Sequence, residues 1–213
     1  MFFSHLPFFG GAAAALDGLF YLGKASDANN ELTYTFAAQP FGQAQADRII
    51  VVGVASRDTT NERANSMTIG GVSATRHVDN GGANIFPCAL FSAVVPTGTT
   101  GTVAVTFSGN MLGCVIGLWS IYGVASNTPH DTAFATNGSV SLDIPSNGCA
   151  VAMAWVGADP TWTNLTKDFY ELVDPGSGQT VASGASGNLS SQTGRTISTS
   201  GGDDYIAAAS WGP

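Results

Sequence analysis

The chain has 213 residues, of which 44% are apolar and only 10% are charged, and its formal net charge is −8. Its seven basic residues are scattered rather than clustered, so nucleic acid and anionic membranes are not expected partners. Low charge together with 27 glycines is typical of a turn-rich β protein whose surface is covered by neighbours.

The first 23 residues, MFFSHLPFFGGAAAALDGLFYLG, are rich in aromatic residues and alanine. They lack the basic start of a secretory signal, and Pro7, the glycines and Asp17 interrupt them too often for a transmembrane span. We therefore expect a non-β arm or a short helix. We assign residues 1–30 to this arm and residues 31–213 to a single β-sandwich domain.

The apolar side chains of the arm are the candidate docking residues of the chain. They are Phe2, Phe3, Leu6, Phe8, Phe9, Leu16 and Phe20. Either the arm packs across its own domain or it docks into another subunit. We favour the second interpretation, because exposed apolar segments commonly mark an interface.

From residue 32 onward, hydrophobicity follows the period of a β-strand. Apolar and polar residues alternate in 32–36, 102–108 and 139–144, and each segment is followed by a break and a continuous apolar run, at 49–56, 111–124 and 149–158. Residues 196–200 and 205–211 add a fourth copy. Alternation predicts a strand with one wet face, and a continuous run predicts burial on both faces, or on one face plus an interface. The repeated unit therefore predicts stacked antiparallel hairpins.

Turn signals complete the fold prediction. Gly70-Gly71 predicts a hairpin turn or a bulge, and Pro96 ends another strand at 85–95. About ten strands at this spacing predict an all-β antiparallel sandwich or jelly roll. The only helix candidates are the arm and residues 166–172. The Gly/Ser-rich stretch 176–194 is either a linker or, as we favour, a polar, exposed strand pair with long turns.

The cysteines and histidines give no sign of a catalytic or metal site. Cys88, Cys114 and Cys149 are odd in number and widely spaced, which favours three buried thiols over a disulfide framework or a zinc site. His77 and His130 lack partners at the spacing of a metal site or a triad. We expect no cofactor and no metal.

Acidic residues provide the best lead for an enzyme. Asp159, Asp168, Glu171 and Asp174 lie close together in sequence, near three aromatic residues: Trp155, Trp162 and Tyr170. Paired acids beside aromatic side chains suit glycoside hydrolysis. The same segment equally fits solvated acids on an edge, which we favour. Trp162 either folds back on the sheet or contacts a ligand or partner, and Tyr170 is a second possible contact.

The strand and turn motifs LTYTF, ADRIIVVGVASR, MTIGGVSATR, VPTGTTGTVAVTF and GLWSIYGV follow the Phe/Gly-rich arm. Together they resemble β-sandwich structural proteins of tailed-bacteriophage particles, over nearly the whole chain. The resemblance implies a non-enzymatic protein on the exterior of the virion: a capsid decoration or cement protein, a head-spike base or a tail-fibre subunit. Its partners would be other capsid or tail proteins and further copies of itself, with a trimer as the working assumption.

Two alternatives remain open. The first is a carbohydrate-binding module for host-surface glycans, which would use Trp162 and Tyr170. The second, less favoured, is a glycan-degrading enzyme. No functional residue carries over from the resemblance, because its motifs are strand and turn patterns.

Overall fold

The computed structural model describes residues 17–57, 60–79, 86–173, 181–201 and 204–213, and all regular structure in these ranges is β. The first nine strands are β1 (Gly18–Asp27), β2 (Glu31–Pro40), β3 (Ile49–Arg57), β4 (Ala64–Ile69), β5 (Val72–Ser73), β6 (Thr75–Asp79), β7 (Cys88–Val94), β8 (Thr100–Met111) and β9 (Gly113–Tyr122). The other eight are β10 (Asp131–Ala135), β11 (Ser139–Ile144), β12 (Gly148–Val156), β13 (Trp162–Thr163), β14 (Thr166–Leu172), β15 (Val181–Leu189), β16 (Gln192–Thr199) and β17 (Tyr205–Trp211).

These strands form four antiparallel sheets, two in each half of the chain. In the first half, residues 17–122, the first inner sheet has the order β1-β9-β3-β7-β6, and the first outer sheet β2-β8-β4-β5. In the second half, residues 131–213, the second inner sheet has the order β10-β17-β12-β15-β14, and the second outer sheet β11-β16-β13. The predicted all-β antiparallel sandwich is confirmed, and it is built twice in the described residues.

The four sheets stack as layers around three apolar cores. One core lies between the outer and inner sheets of the first half, and another lies between the inner and outer sheets of the second half. The middle core joins the two inner sheets, with Trp119 and Trp211 fully buried in it. Each inner sheet is therefore covered on both faces, and the two halves share their largest side chains.

This layering explains why the inner strands have continuous apolar sequences. Along β3, Ile50 and Val52 belong to the first outer-to-inner core, whereas Ile49 and Val51 belong to the middle core. Side chains on a strand alternate between its two faces, so both faces need apolar residues here. The outer strand β2 buries Tyr34 on one face only, and its sequence alternates. The predicted burial of the runs on both faces is confirmed.

The prediction of hairpins from the repeated unit is wrong. An alternating strand and the apolar run that follows it lie in different sheets: β2 and β3, β8 and β9, β11 and β12, and β16 and β17 each pass from an outer to an inner sheet. The strands pair with partners distant in sequence, for example β2 with β8 and β3 with β9. Each break between the two strands is thus a sandwich corner.

The second half repeats the topology of the first. The two inner sheets have matching strand orders. In the order of the first sheet, the equivalent strands are β1 and β10, β9 and β17, β3 and β12, β7 and β15, and β6 and β14. The contacts between the inner sheets also come in exchanged pairs, such as β6 with β10 and β1 with β14. This pattern is that of an approximate two-fold axis through the middle core, as in an isologous dimer.

A bulge at the same place in each half fixes which residues are equivalent. His77 lies at the register shift in β6 and Asp168 at the register shift in β14. Just before each shift, Thr75 faces Ser92 and Thr166 faces Ser186.

The two central strands keep the same register. Ser92 faces Val51 in β3, and Ser186 faces Val151 in β12, so equivalent residues of β3 and β12 differ by 100 in number. Gly53 is then equivalent to Met153, and these two residues meet in the middle core. A Cβ on Gly53 would lie 2.9 Å from Met153 Cβ, so the close approach of β3 and β12 requires glycine on one side.

The helix predicted for 166–172 is wrong, because this segment is the edge strand β14. The bulge at Asp168 interrupts the alternation of side chains between the two faces of β14. Phe169 therefore points to the buried face one residue out of register, and the sequence loses the two-residue period of a strand.

The exposed strand pair predicted within 176–194 is also wrong. β15 lies between β12 and β14, and Ser183 and Ala185 are fully buried in it. Its small residues are needed for packing: a Cβ on Gly184 would lie 2.2 Å from Phe169 Cε1. Composition suggested a solvated strand, whereas an aromatic ring fills the space above it.

The structure also tests the predictions for the Gly70-Gly71 turn, the cysteines and the N-terminal segment. Gly70 and Gly71 have φ of 60° and 81° and connect β4 to β5 as a hairpin, as predicted. The three cysteines are free and buried, as predicted. The non-β arm predicted for residues 1–30 is wrong over Gly18–Asp27, because these residues form β1 and pair with β9; residues 1–16 lie outside the described residues.

Candidate functional site

Most of the predicted docking residues cannot be placed. Phe2, Phe3, Leu6, Phe8, Phe9 and Leu16 lie outside the described residues. Phe20 is placed on β1, which is an edge strand of the first inner sheet. It keeps 41% of its surface exposed and contacts the Tyr122 ring edge-on at 5.8 Å.

The two predicted ligand contacts differ in environment. Trp162 folds back on the sheet: its ring packs against the core of the second half, and its indole N–H donates a 2.9 Å hydrogen bond to Ser183 Oγ. Tyr170 is 36% exposed, and its backbone carbonyl accepts a hydrogen bond from Lys24. Since Trp162 is used within the fold, the pair does not form one ligand platform.

The three described acids among those singled out by sequence each have a partner of their own. Asp159 pairs with Lys167 at 2.7 Å and Glu171 pairs with Lys24. Asp168 lies at the seam between the halves, where its Oδ2 accepts a 2.7 Å hydrogen bond from the Trp119 indole. Asp174 lies outside the described residues.

Asp168 is held as part of the seam. Burial raises the pKa of its carboxyl, although the hydrogen bonds from Ser186 and Trp119 act in the opposite direction. Burial raises the pKa of the neighbouring Tyr21 to about 12, and the negative charges of Asp168 and Glu171 contribute in the same direction. These contacts fit a structural role better than a pair of glycosidase acids.

His77, the equivalent of Asp168, contacts a serine in a way that resembles a catalytic dyad. His77 Nε2 lies 2.6 Å from Ser92 Oγ, and Ser92 Oγ lies 2.6 Å from Asn127 Oδ1. Asn127 Oδ1 can only accept, so when the single hydroxyl hydrogen of Ser92 is donated to it, His77 Nε2 is the donor to Ser92.

A general base would have to accept the serine proton, which is the reverse of this arrangement. Burial lowers the pKa of His77 and favours its neutral form. The ring packs edge-on against Trp211 at 6.1 Å, and Ser92 is fully buried. This cluster therefore helps to hold the two halves together, as the hydrogen bond between Trp119 and Asp168 does at the equivalent place.

His130 and the cysteines also have structural surroundings. The backbone N–H of His130 donates to the carbonyl of Ser210, and the neighbouring Asp131 accepts hydrogen bonds from the backbone N–H groups of Thr132 and Asp143. Burial raises the pKa of Cys88 to about 12, and its thiol donates to the carbonyl of Met153 across the seam.

Sequence reasoning missed a groove at one end of the second half. Its volume is about 400 Å³, and Trp155, Asp159, Ser200 and Asp204 line it. These residues come from two segments, 155–159 and 200–204, which are about 40 residues apart, so no local sequence motif indicates the site. The sequence groups Trp155 with Asp159, but nothing in it joins them to Ser200 and Asp204.

The described ranges contain neither a candidate membrane helix nor a candidate metal cluster. No helix there is long and apolar enough to cross a membrane. No three His, Cys, Asp or Glu side chains of the described residues converge as metal ligands.

Comparison with known proteins adds no functional assignment. No protein-family model matches the chain, and no curated protein or solved structure is significantly similar to it.

Proposed function

We propose that the chain is a non-enzymatic structural protein of a tailed-bacteriophage particle, which docks onto capsid or tail through its arm and self-associates. The virion context rests on the resemblance of its strand and turn motifs to sandwich proteins of such particles. The docking role rests mainly on one observation: the apolar segment 1–16 of the arm is followed directly by the edge strand β1, where Phe20 is exposed. An apolar arm next to an open sheet edge that exposes a phenylalanine favours contact with another subunit.

The base of the arm lies where the two halves meet. Asp17 and Gly18 line a cavity of about 510 Å³ together with Asn147 and Asn188 of the second half. The backbone N–H of Leu19 donates a 3.2 Å hydrogen bond to Asn188 Oδ1. The described start of β1 is thus held by both halves, which suits the base of an anchor.

The outward face of the first outer sheet supports packing in an assembly. Thr33, Thr35, Thr68 and Thr102 are exposed on it, and the hydroxyls of Thr33 and Thr106 are 2.9 Å apart. Such a surface of hydroxyl groups with little charge gives no electrostatic attraction for a charged substrate and is compatible with close subunit contact.

The test is a truncation that removes residues 1–16 and keeps Asp17 and β1 intact. We expect the truncated protein to keep its β circular dichroism and its urea midpoint, since the three cores lie within residues 17–213. It should no longer copurify with phage particles assembled in host cells, and its sedimentation coefficient should fall to that of a smaller oligomer.

A full-length variant in which Phe2, Phe3, Phe8 and Phe9 are replaced by serine serves as the matched control for chain length. It should fail to assemble in the same way. Normal incorporation of either variant into particles would contradict the anchoring role.

A further inference from the structure

A cleft opens at one end of the first outer sheet. It lies between the turn that joins β4 to β5, at residues 70–71, and the segment 95–102 that leads into β8. Its volume is about 570 Å³. Pockets of about 300–1,000 Å³ commonly receive compact groups, so this cleft has room for a large side chain.

The lining of the cleft is apolar and uncharged. Phe41 and Val95 are only 1% and 5% exposed and form its floor, whereas Val72, at 42%, and Pro96 are exposed at its rim. The remaining lining residues are glycines and threonines. A charged group would lose its hydration here without gaining an ion pair from the lining, so the cleft suits an apolar group.

The wall of the cleft is fixed by a buried arginine. The guanidinium of Arg48 is fully buried and donates hydrogen bonds to the carbonyls of Val95, Thr97 and Gly98, at 2.7–2.8 Å. On the same wall, the backbone N–H of Phe41 donates a 2.8 Å hydrogen bond to the carbonyl of residue 99. The cleft is therefore formed in the single chain, before any partner docks.

The base of the arm lies on the other side of this wall. The carboxylate of Asp17 lies against Gly123, whose backbone N–H donates a 2.9 Å hydrogen bond to Asp47 Oδ2. Asp47 is followed by Arg48, which binds the carbonyls of residues 97–98. The wall thus stands between the arm of one copy and its own cleft, whereas the rim of the cleft is open to a neighbouring copy.

The sequence of the arm matches the chemistry of the cleft. Residues 1–16 contain Phe2, Phe3, Phe8 and Phe9 and no Asp, Glu, Lys or Arg. A buried phenylalanine ring removes about 150–250 Å² of surface from water. Sixteen residues can span at most about 50–60 Å, which is enough to pass from one copy to the next.

We propose that this cleft receives a phenylalanine from the arm of a second copy of the chain. The proposal rests on the docking role of the arm given above, and it names the acceptor. The threonine hydroxyls of the lining can bond the backbone of the entering segment. Each copy carries both an arm and a cleft, so one type of contact is enough to build a homo-oligomer.

The first test measures self-association of the full chain by sedimentation equilibrium. Val72→Asp places a charge at the rim of the cleft and should weaken self-association about 10-fold or more. Thr100→Trp fills the cleft without a charge and should act in the same direction. Leu32→Asp is the matched control, because Leu32 is 45% exposed on the same sheet but does not line the cleft. It should leave self-association unchanged, and all three variants should keep their circular dichroism.

The second test mixes two variants that carry different tags. One is the full-length variant with serine at positions 2, 3, 8 and 9, which keeps its cleft, and the other is Val72→Asp, which keeps its arm. Neither should self-associate at the concentration where the wild type does. Their mixture should associate, because the arm of the second variant docks into the cleft of the first.

Several results would overturn the proposal. They are a monomeric wild type, equal self-association of Val72→Asp and Leu32→Asp, and a mixture in which the two variants do not associate. If the serine variant alone loses self-association while Val72→Asp keeps it, the arm docks elsewhere. That result rejects this cleft as the acceptor and leaves the docking role of the arm intact.

Discussion

The two halves of the chain share one topology but fill the seam between them with different side chains. At the equivalent bulges, the first half places His77 against Ser92 and Trp211, and the second places Asp168 against Ser186 and Trp119. The strand order is thus preserved while the chemistry has diverged. An interface inside one chain is free to do this, because a change on one side is not copied to the other.

The large residues of the seam show the same divergence. The registers make Trp119 equivalent to Ala209 and Trp211 equivalent to Ile121. Each half thus contributes one tryptophan to the middle core, at a different position, and a smaller residue in the other half makes room. The symmetric backbone holds an asymmetric, complementary core.

The largest effect should come from removing either tryptophan. Trp119→Ala and Trp211→Ala should each lower the free energy of unfolding by about 3–5 kcal/mol, because both rings are fully buried in the middle core. Urea denaturation followed by circular dichroism measures this. Because the halves share that core, each variant should unfold in a single transition.

A conservative pair of variants sharpens the comparison. Trp119→Phe should cost more than Trp211→Phe, since it removes the donor to the half-buried Asp168 carboxylate, whereas Trp211 donates only a 3.3 Å bond to a carbonyl. Two separate transitions, or equal costs for these two variants, would show that the halves are less coupled than the structure indicates.

An intermediate effect is expected at the crossing of β3 and β12. Gly53→Ala should cost about 1–3 kcal/mol through overpacking against Met153. Gly157→Ala is the matched control, since a Cβ there meets nothing within 4 Å, and it should be nearly neutral.

The exchange Gly53→Met with Met153→Gly tests the two-fold relation itself. It moves the large side chain to the equivalent position in the other half, and it should be more stable than Gly53→Met alone. If the exchange is no better than the single variant, the local two-fold symmetry does not extend to side-chain packing.

The smallest effect concerns pH, and the two halves should respond in opposite directions. The pKa of Asp168 is raised above 3.8 by burial, so its contribution to stability is complete below pH 3.8 and is lost as the pH rises through the raised value. The pKa of His77 is lowered below 6.5 by burial, so its contribution is complete above pH 6.5 and is lost as the pH falls through the lowered value.

Urea midpoints recorded across these two pH ranges provide the measurement. Asp168→Asn should flatten the profile just above pH 3.8 and leave the range just below pH 6.5 unchanged, and His77→Gln should do the reverse. Profiles that keep their wild-type slopes in both variants would remove these residues as the source of the pH dependence.

Sequence predicted those features that depend on local burial. The alternation around Tyr34 and the continuous run from Ile49 each report how many faces of a strand are covered, and Gly70-Gly71 reports a turn. Strand partners were not predictable in the same way, because β2 pairs with β8, across more than sixty residues. Local patterns contain no information about such distant pairing.

The failures have specific causes as well. The bulge at Asp168 removed the alternation by which β14 could have been predicted. The Gly/Ser-rich sequence of β15 suggested exposure to solvent, whereas its Gly184 makes room for the buried ring of Phe169. The doubling was hidden because equivalent positions such as Ala55 and Trp155 differ in size and chemistry. The groove joins Trp155 to Asp204, which meet only after the second half has folded.

Burial of both inner sheets has a consequence for synthesis on the ribosome. When the first half has emerged, its inner sheet still presents the face that carries Val51 and Trp119, because the layer that covers it is not yet made. At about 5–20 residues per second, the roughly 90 remaining residues take on the order of 5–20 s to appear. During that interval the nascent chain exposes an apolar surface to chaperones and to other nascent copies. Slow translation of the second half should therefore lower the soluble yield, even though the finished protein is unaffected.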